Sequence, residues 1–164
     1  MILATGRKNL NKLAGFTLIE ISIVVTIIAI LLVVAMPTLS KMYAGTQLRT
    51  DTQDLAETLR YAYQAAVNRQ NKYKIYCDQS SGSYRLEQEL PGIGFQEIKT
   101  SLIKDRILSN GVYFKKLSRP YFFVYPNGSA DNMDVQLANE VGDIYTIKFN
   151  GLTGRVEVFD HAED

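Results

Sequence analysis

Cysteine is almost missing from this chain: Cys77 stands alone, so no intramolecular disulfide can staple the fold. At a strand end, such a residue reads as a small buried hydrophobe rather than a reactive thiol. Histidine is equally scarce. His161 sits near the C-terminus in an acidic tail, a poor setting for a catalytic base. No Gly-rich phosphate loop, nucleophile elbow or Cys/His metal spacing occurs. Charge of one sign is lacking too. Eighteen basic residues face 17 acidic ones, and that balance points to neither nucleic acid nor an anionic surface. Repeats and low-complexity tracts are absent. The expectation is a protein without catalytic residues, cofactor or metal.

What the chain does have is one long apolar run, Phe16 to Met36, 21 residues with a single ionisable side chain, Glu20. At about 1.5 Å per residue a helix of that length spans roughly 30 Å, a bilayer's hydrocarbon thickness. Arg7, Lys8 and Lys12 precede it with no acid among them, and Pro37 follows. That asymmetry keeps the N-terminus cytoplasmic and sends the rest across the membrane as a single-pass protein. A cleaved signal peptide has similar grammar. This run is longer than an ordinary h-region, however, and Val33-Val34-Ala35-Met36-Pro37 is a poor small-residue cleavage site. A carboxylate inside a spanning segment costs a few kcal/mol and persists with a partner, a function or a place near the headgroups.

Beyond the run, Leu48, Thr52, Leu55, Leu59, Ala62 and Ala66 alternate spacings of four and three, one narrow helical stripe. Arg49, Asp51, Gln53, Asp54, Glu57, Arg60, Gln64 and Asn68 fall on the other faces. The helix is therefore expected to continue to about Asn71, with a bend at Pro37, which removes one backbone hydrogen bond. The period then changes to two. Strands read at 72–77, 83–88, 111–116, 121–125, 134–138, 144–150 and 156–159, with 95–108 ambiguous between strand and loop. Asn127-Gly128 and Gly151-Leu152-Thr153-Gly154 read as hairpin turns, their glycines explained by turn chemistry alone. The fold class is α+β: a long N-terminal helix, membrane-spanning in its first half, laid on a small antiparallel sheet system. The divisions are 1–15, 16–37, the amphipathic continuation 38–71, and a β-rich domain 72–164.

Gly15-Phe16-Thr17-Leu18-Ile19-Glu20 resembles the prepilin peptidase site of type IV pilins and type II secretion pseudopilins. The resemblance implies that residues 1–15 are a leader cut off after Gly15 by the peptidase. It also implies that Phe16 becomes a methylated N-terminus and that Glu20 guides assembly with other pilin-like subunits. A new α-amine would then lie one helical turn from Glu20, and in a packed array each carboxylate can meet a neighbour's amine. Removing 15 of 164 residues leaves 149, enough for one modest exported core. Losing three basic residues leaves 15 against 17 acidic, a net of −2. The pieces Gly111-Val112-Tyr113-Phe114, Phe123-Val124-Tyr125-Pro126-Asn127-Gly128-Ser129 and Gly151-Leu152-Thr153-Gly154-Arg155-Val156 resemble, in order and spacing, the globular domain of the H-type minor pseudopilins (the GspH/FimT family). That resemblance implies a long helix with two small antiparallel sheets, and a minor subunit in a periplasmic filament that serves type II protein secretion.

Two other functions compete. One is a FimT-like minor pilin of a type IV pilus, for biogenesis or DNA uptake. DNA-binding relatives carry a Gly-Arg-x-Arg motif, and here Gly154-Arg155-Val156-Glu157 puts an acid at the second arginine. From Gly151 to Asp164 one basic residue meets four acids, so the tail repels phosphate. Lys99, Lys104, Arg106, Lys115, Lys116 and Arg119 against Asp105 make a local +5, with Tyr113, Phe114, Tyr121, Phe122 and Phe123 nearby. Those basics read as a solvated face and those aromatics as alternating into the core, so nucleic acid is not an expected partner. The other is a signal-anchored periplasmic protein with no filament role. Asp131, Asn132 and Asp134 resemble no EF-hand spacing and read as solvated turn residues rather than calcium ligands.

Overall fold

The computed structural model describes residues 16–98 and 106–162. It contains one helix, α1 (Leu18–Arg69), and nine strands: β1 (Tyr73–Asp78), β2 (Ser83–Leu90), β3 (Gly94–Glu97), β4 (Arg106–Ile107), β5 (Val112–Leu117), β6 (Tyr121–Val124), β7 (Met133–Asn139), β8 (Ile144–Asn150) and β9 (Arg155–Phe159). The helix is assigned without interruption through Pro37 and Gly45, so the proline does not end it. The chain divides into two compact units, one ending at Leu39 and one running from Ser40.

In the first unit the apolar side chains from Leu18 to Val33 are exposed, with no cover from the described residues. The second unit behaves in the opposite way. All six stripe residues of α1 are buried, and five of them, Leu48, Thr52, Leu55, Ala62 and Ala66, are 0% exposed. Each fully buried leucine contributes roughly 2 kcal/mol, so Leu48, Leu55 and Leu59 alone match much of a small domain's net stability. Ala62, Ala65 and Ala66 keep the last turns slim where the strands close over them.

Two antiparallel sheets receive that stripe. In one, the order is β3-β2-β1-β6, with β4 also on β2; in the other it is β5-β7-β8-β9. β1 alternates buried Tyr73, Ile75 and Cys77 with half-buried Lys74, Tyr76 and Asp78, as a strand with one core face must. Cys77 is buried as expected, and burial pushes its thiol up to about 12. Of the ambiguous stretch 95–108, residues 99–105 lie outside the described residues, and its two ends carry β3 and β4, both paired to β2. One cluster takes side chains from the helix and from both sheets, so there is a single core.

The turn glycines do more than hairpin chemistry requires. A Cβ on Gly151 would fall 1.8 Å from the Ala130 carbonyl oxygen, and one on Gly154 would fall 2.4 Å from the Tyr63 ring. Tyr63 also donates its hydroxyl to the Gly128 carbonyl at 3.1 Å. One helical tyrosine thus holds both turns, and the reading of those glycines as turn formers alone was incomplete. Gly154→Ala combines a φ of +68° with that ring contact; a loss of about 2–3 kcal/mol is expected in a chemical melt. Gly92→Ala, with a similar φ but nothing within 4 Å, should cost only about 1 kcal/mol.

The β1–β2 turn is organised by Asp78, whose carboxylate accepts from the Ser80 hydroxyl at 2.6 Å, the Ser81 hydroxyl at 2.8 Å and the Ser80 amide at 2.9 Å. Hydrogen bonding by the Ser80 hydroxyl, then Ser81, lowers its pKa to about 2. The depressed value means its contribution is present above the ordinary carboxylate range and is lost as pH falls through about 2. Carbon-detected NMR titration should place the Asp78 midpoint near that value, and Ser80→Ala should raise it.

Candidate functional site

The N-terminal site begins at the helix cap. Phe16 and Thr17 precede α1, and Phe16 is 78% exposed. The Glu20 amide donates to Thr17 Oγ1 at 3.3 Å, and the Ile21 amide donates to the Thr17 carbonyl at 3.2 Å. Thr17 is therefore the N-cap, and Thr17-Leu18-Ile19-Glu20 has the spacing of a capping box. Glu20 lies in the first turn, where the helix dipole favours an anion, and is exposed along with the apolar residues that follow. Ser22 donates to the Ile19 carbonyl and Thr26 to the Ser22 carbonyl, each at 2.8 Å, so neither hydroxyl is left unpaired in an apolar setting. The best window of this helix has a mean hydropathy of 3.0, which is long and apolar enough to cross a membrane. Gly15 and the basic leader residues lie outside the described residues. Sequence reasoning singled out Phe16 and Glu20 but missed Thr17, although a threonine three residues before a glutamate is a readable signal.

The remaining candidates separate in the folded unit. Asp51, read from the sequence as a surface residue, is instead buried at the seam. Its carboxylate accepts from the Ser109 amide at 2.7 Å and the Ser109 hydroxyl at 3.0 Å. Desolvation outweighs those bonds and raises its pKa. Arg106, counted among the free basics, is ion-paired with Asp54. Lys99, Lys104 and Asp105 lie outside the described residues, while Lys115, Lys116 and Arg119 are exposed. The aromatics split: Phe114 and Phe122 enter the core, whereas Tyr113 and Tyr121 stay exposed and Phe123 is half-buried under Lys72, 4.2 Å from its ring centre. Glu157 sits 2.9 Å from Arg155 and neutralises it.

Asp131 and Asn132 are not simply solvated. Asp131 accepts from the Phe123 amide at 3.0 Å and Asn132 from the Gly151 amide at 2.8 Å, pinning two turns. Among the described residues no group of three or more His, Cys, Asp or Glu is arranged to hold a metal ion. His161 lies 3.2 Å from Asp160, and its carbonyl accepts from the Thr146 hydroxyl.

Residues 10–36 match the family model of the prokaryotic N-terminal methylation motif. No curated protein matches the chain significantly by sequence. The fold matches solved structures of the minor pseudopilin EpsH from the type 2 secretion system of Vibrio cholerae. In one, the TM-score is 0.62 at 12% identity over 70% of this chain and 97% of that one; in a second, it is 0.62 at 11% identity over 73% and 97%. The type IV minor pilin FimU of Pseudomonas aeruginosa matches with TM-score 0.52 at 11% identity over 68% of this chain and 92% of that one. The fold, a long helix packed on antiparallel sheets, is the one found in EpsH and FimU, and here it begins in an N-terminal segment that matches the methylation motif.

The cap sets one measurable property of the site. Thr17→Ala removes the oxygen that accepts from the Glu20 amide, so the first helical turn should lose about 1 kcal/mol. In detergent micelles, amide exchange at Glu20 and Ile21 should accelerate roughly fivefold, with residues beyond Thr26 unchanged.

Proposed function

We propose that the chain is a minor pseudopilin of a type II secretion pseudopilus, a non-enzymatic subunit that assembles through its N-terminal helix to help drive protein export across the outer membrane. The observation that carries the reading is the methylation motif over residues 10–36 joined to a fold shared with EpsH. The prepilin peptidase cuts after Gly15, Phe16 becomes the methylated N-terminus, and the chain is held in the inner membrane with residues 72–164 on the periplasmic side. Glu20 then has two roles in sequence. In the membrane it lies one turn from the new amine, and in the filament it meets the amine of a neighbour, fixing stagger. A carboxylate exposed on an otherwise apolar helix costs a few kcal/mol unless such a partner is present, and that cost favours the packed state.

A minor-pilin role in a type IV pilus is the second reading, favoured by the likeness to FimU. The DNA-uptake version of that role has less support, because Glu157 occupies Arg155 and Asp54 occupies Arg106.

Cleavage and assembly test the proposal separately. Glu20→Leu should still be cut after Gly15, yet its amount in sheared filaments should fall at least tenfold, as a loss of about 1.4 kcal/mol or more per contact implies. Gly15→Leu should leave the leader attached. Normal filament entry by Glu20→Leu would overturn the role given to Glu20, and an intact leader on the wild-type chain would sink processing altogether. A gel shift at low ionic strength should show no DNA retention.

A further inference from the structure

β4 consists of Arg106 and Ile107 alone, set against Tyr84 and Ser83 at the edge of β2, and Ile107 is 75% exposed. A strand that short has too little ladder to hold itself in place. What keeps the segment down is its side-chain ties to the helix. Arg106 is ion-paired with Asp54 of α1. Ser109 donates its amide to Asp51, one turn earlier on the same helix, at 2.7 Å and its hydroxyl at 3.0 Å. Between them the Leu108 amide donates to the Gly82 carbonyl at 2.8 Å, and the Leu108 side chain joins the core cluster. Residues 106–109 are thus a strap tied to α1 by two acids.

The two acids differ in surroundings. Asp54 is partly exposed and lies directly against a cation. Asp51 is 9% exposed, and the donors that hold it, both on Ser109, are neutral. The titratable and charged groups that face it, among the described residues, are Asp54 on its own helix, Arg106 on β4 and Tyr84 on β2. Asp54 repels a charge on Asp51 and Arg106 attracts it, while burial pushes the Tyr84 phenol up and keeps it neutral. Desolvation outweighs the Ser109 bonds, so the Asp51 pKa is raised with the strap in place. With the strap lifted, the carboxyl meets water and returns toward its ordinary value. A carboxyl with the higher pKa in the closed form favours closure while protonated. Part of that preference is lost as pH rises through the higher value.

We propose that residues 106–109 are a proton-linked strap, clasped more firmly to α1 while Asp51 is neutral and loosened when it ionises. A neutral Asp51 keeps both Ser109 contacts, because its carbonyl oxygen accepts from the amide and its hydroxyl can donate to Ser109 Oγ. Ionisation strengthens each hydrogen bond but leaves a charge in a buried seam whose cation, Arg106, is already bonded to Asp54. Lifting the strap uncovers Leu108 and the edge of β2 at Ser83 and Tyr84, a local opening rather than a global one. The device belongs to the folded unit and does not depend on the filament reading.

The test is amide exchange of the full chain in detergent micelles from about pH 4 to about pH 7. Rates are corrected for intrinsic pH dependence and read at Leu108 and Ser109, with buried Ile147 as the reference for global unfolding. Protection at Ser109 should fall by at least about twofold as pH rises, with Ile147 unchanged. Asp51→Asn stays neutral and still accepts from Ser109. It should abolish the pH dependence and leave Ser109 at least as protected at the upper pH as in the wild-type chain. Asp51→Ala removes the acceptor and should lose roughly tenfold protection at both ends of the range. Wild-type protection that is flat or rises with pH, a fall shared equally by Ile147, or a pH dependence that persists in Asp51→Asn would overturn the proposal. The wild-type series stands whether or not either variant folds.

Discussion

The folded unit depends on the helical stripe from Leu48 to Ala66 being shared by two sheets at once. Neither sheet has a complete core of its own. Tyr73, Ile75 and Leu86 come from one, Val135, Leu137 and Ile147 from the other, and all meet the same helix face in one cluster. A small domain without disulfides has only a few kcal/mol of net stability, so that common face decides whether both sheets form. The polar seam around it is positioned by the packing. Asp51 reaches Ser109 and Tyr63 reaches Gly128 because the helix is already seated. Placing a carboxylate there costs desolvation, which the raised pKa of Asp51 records. The return is a pinned β4–β5 connection rather than added stability.

The first half of the same helix answers to a different solvent. Its apolar residues are exposed and find no cover among the described residues, the pattern of a segment long and apolar enough to cross a membrane. Its polar groups are managed locally. Thr17 caps the first turn, Ser22 and Thr26 bond back to their own helix, and Glu20 is the only charge. A side chain whose hydroxyl is satisfied internally contributes little to recognition between helices. Glu20 is different, because its amide is capped while its carboxylate remains exposed.

Much of this was readable in the sequence, for a physical reason. The stripe and the two-residue alternation are statements about one face of one element, and every stripe residue is buried where the periodicity predicts. The seven strands stand within a residue or two of their expected bounds. What the sequence did not disclose are contacts between elements distant in the chain. Asp51 fits the polar pattern of its helix, and only the arrival of Ser109, 58 positions later, makes it a seam residue. Gly154 fits a hairpin, and only the Tyr63 ring above it shows why no Cβ is tolerated. β3 and β4 are too short to carry a period and are defined by pairing with β2. Thr17 is the exception, because its pattern is local: a threonine three residues before a glutamate already has the spacing of a capping box.

Tyr63 shows how the two sheets' turns are tied to one point. Its hydroxyl holds the Gly128 turn after β6, in one sheet, and its ring lies against Gly154 between β8 and β9, in the other. The Ala130 amide donates to the Gly151 carbonyl at 2.9 Å, closing the same triangle through the backbone. A rigid corner of this kind has a consequence for β9. The strand begins immediately after Gly154, so its start is fixed in position through Tyr63 of the helix, and Arg60, one turn earlier on α1, bonds its Val156 carbonyl at 3.4 Å.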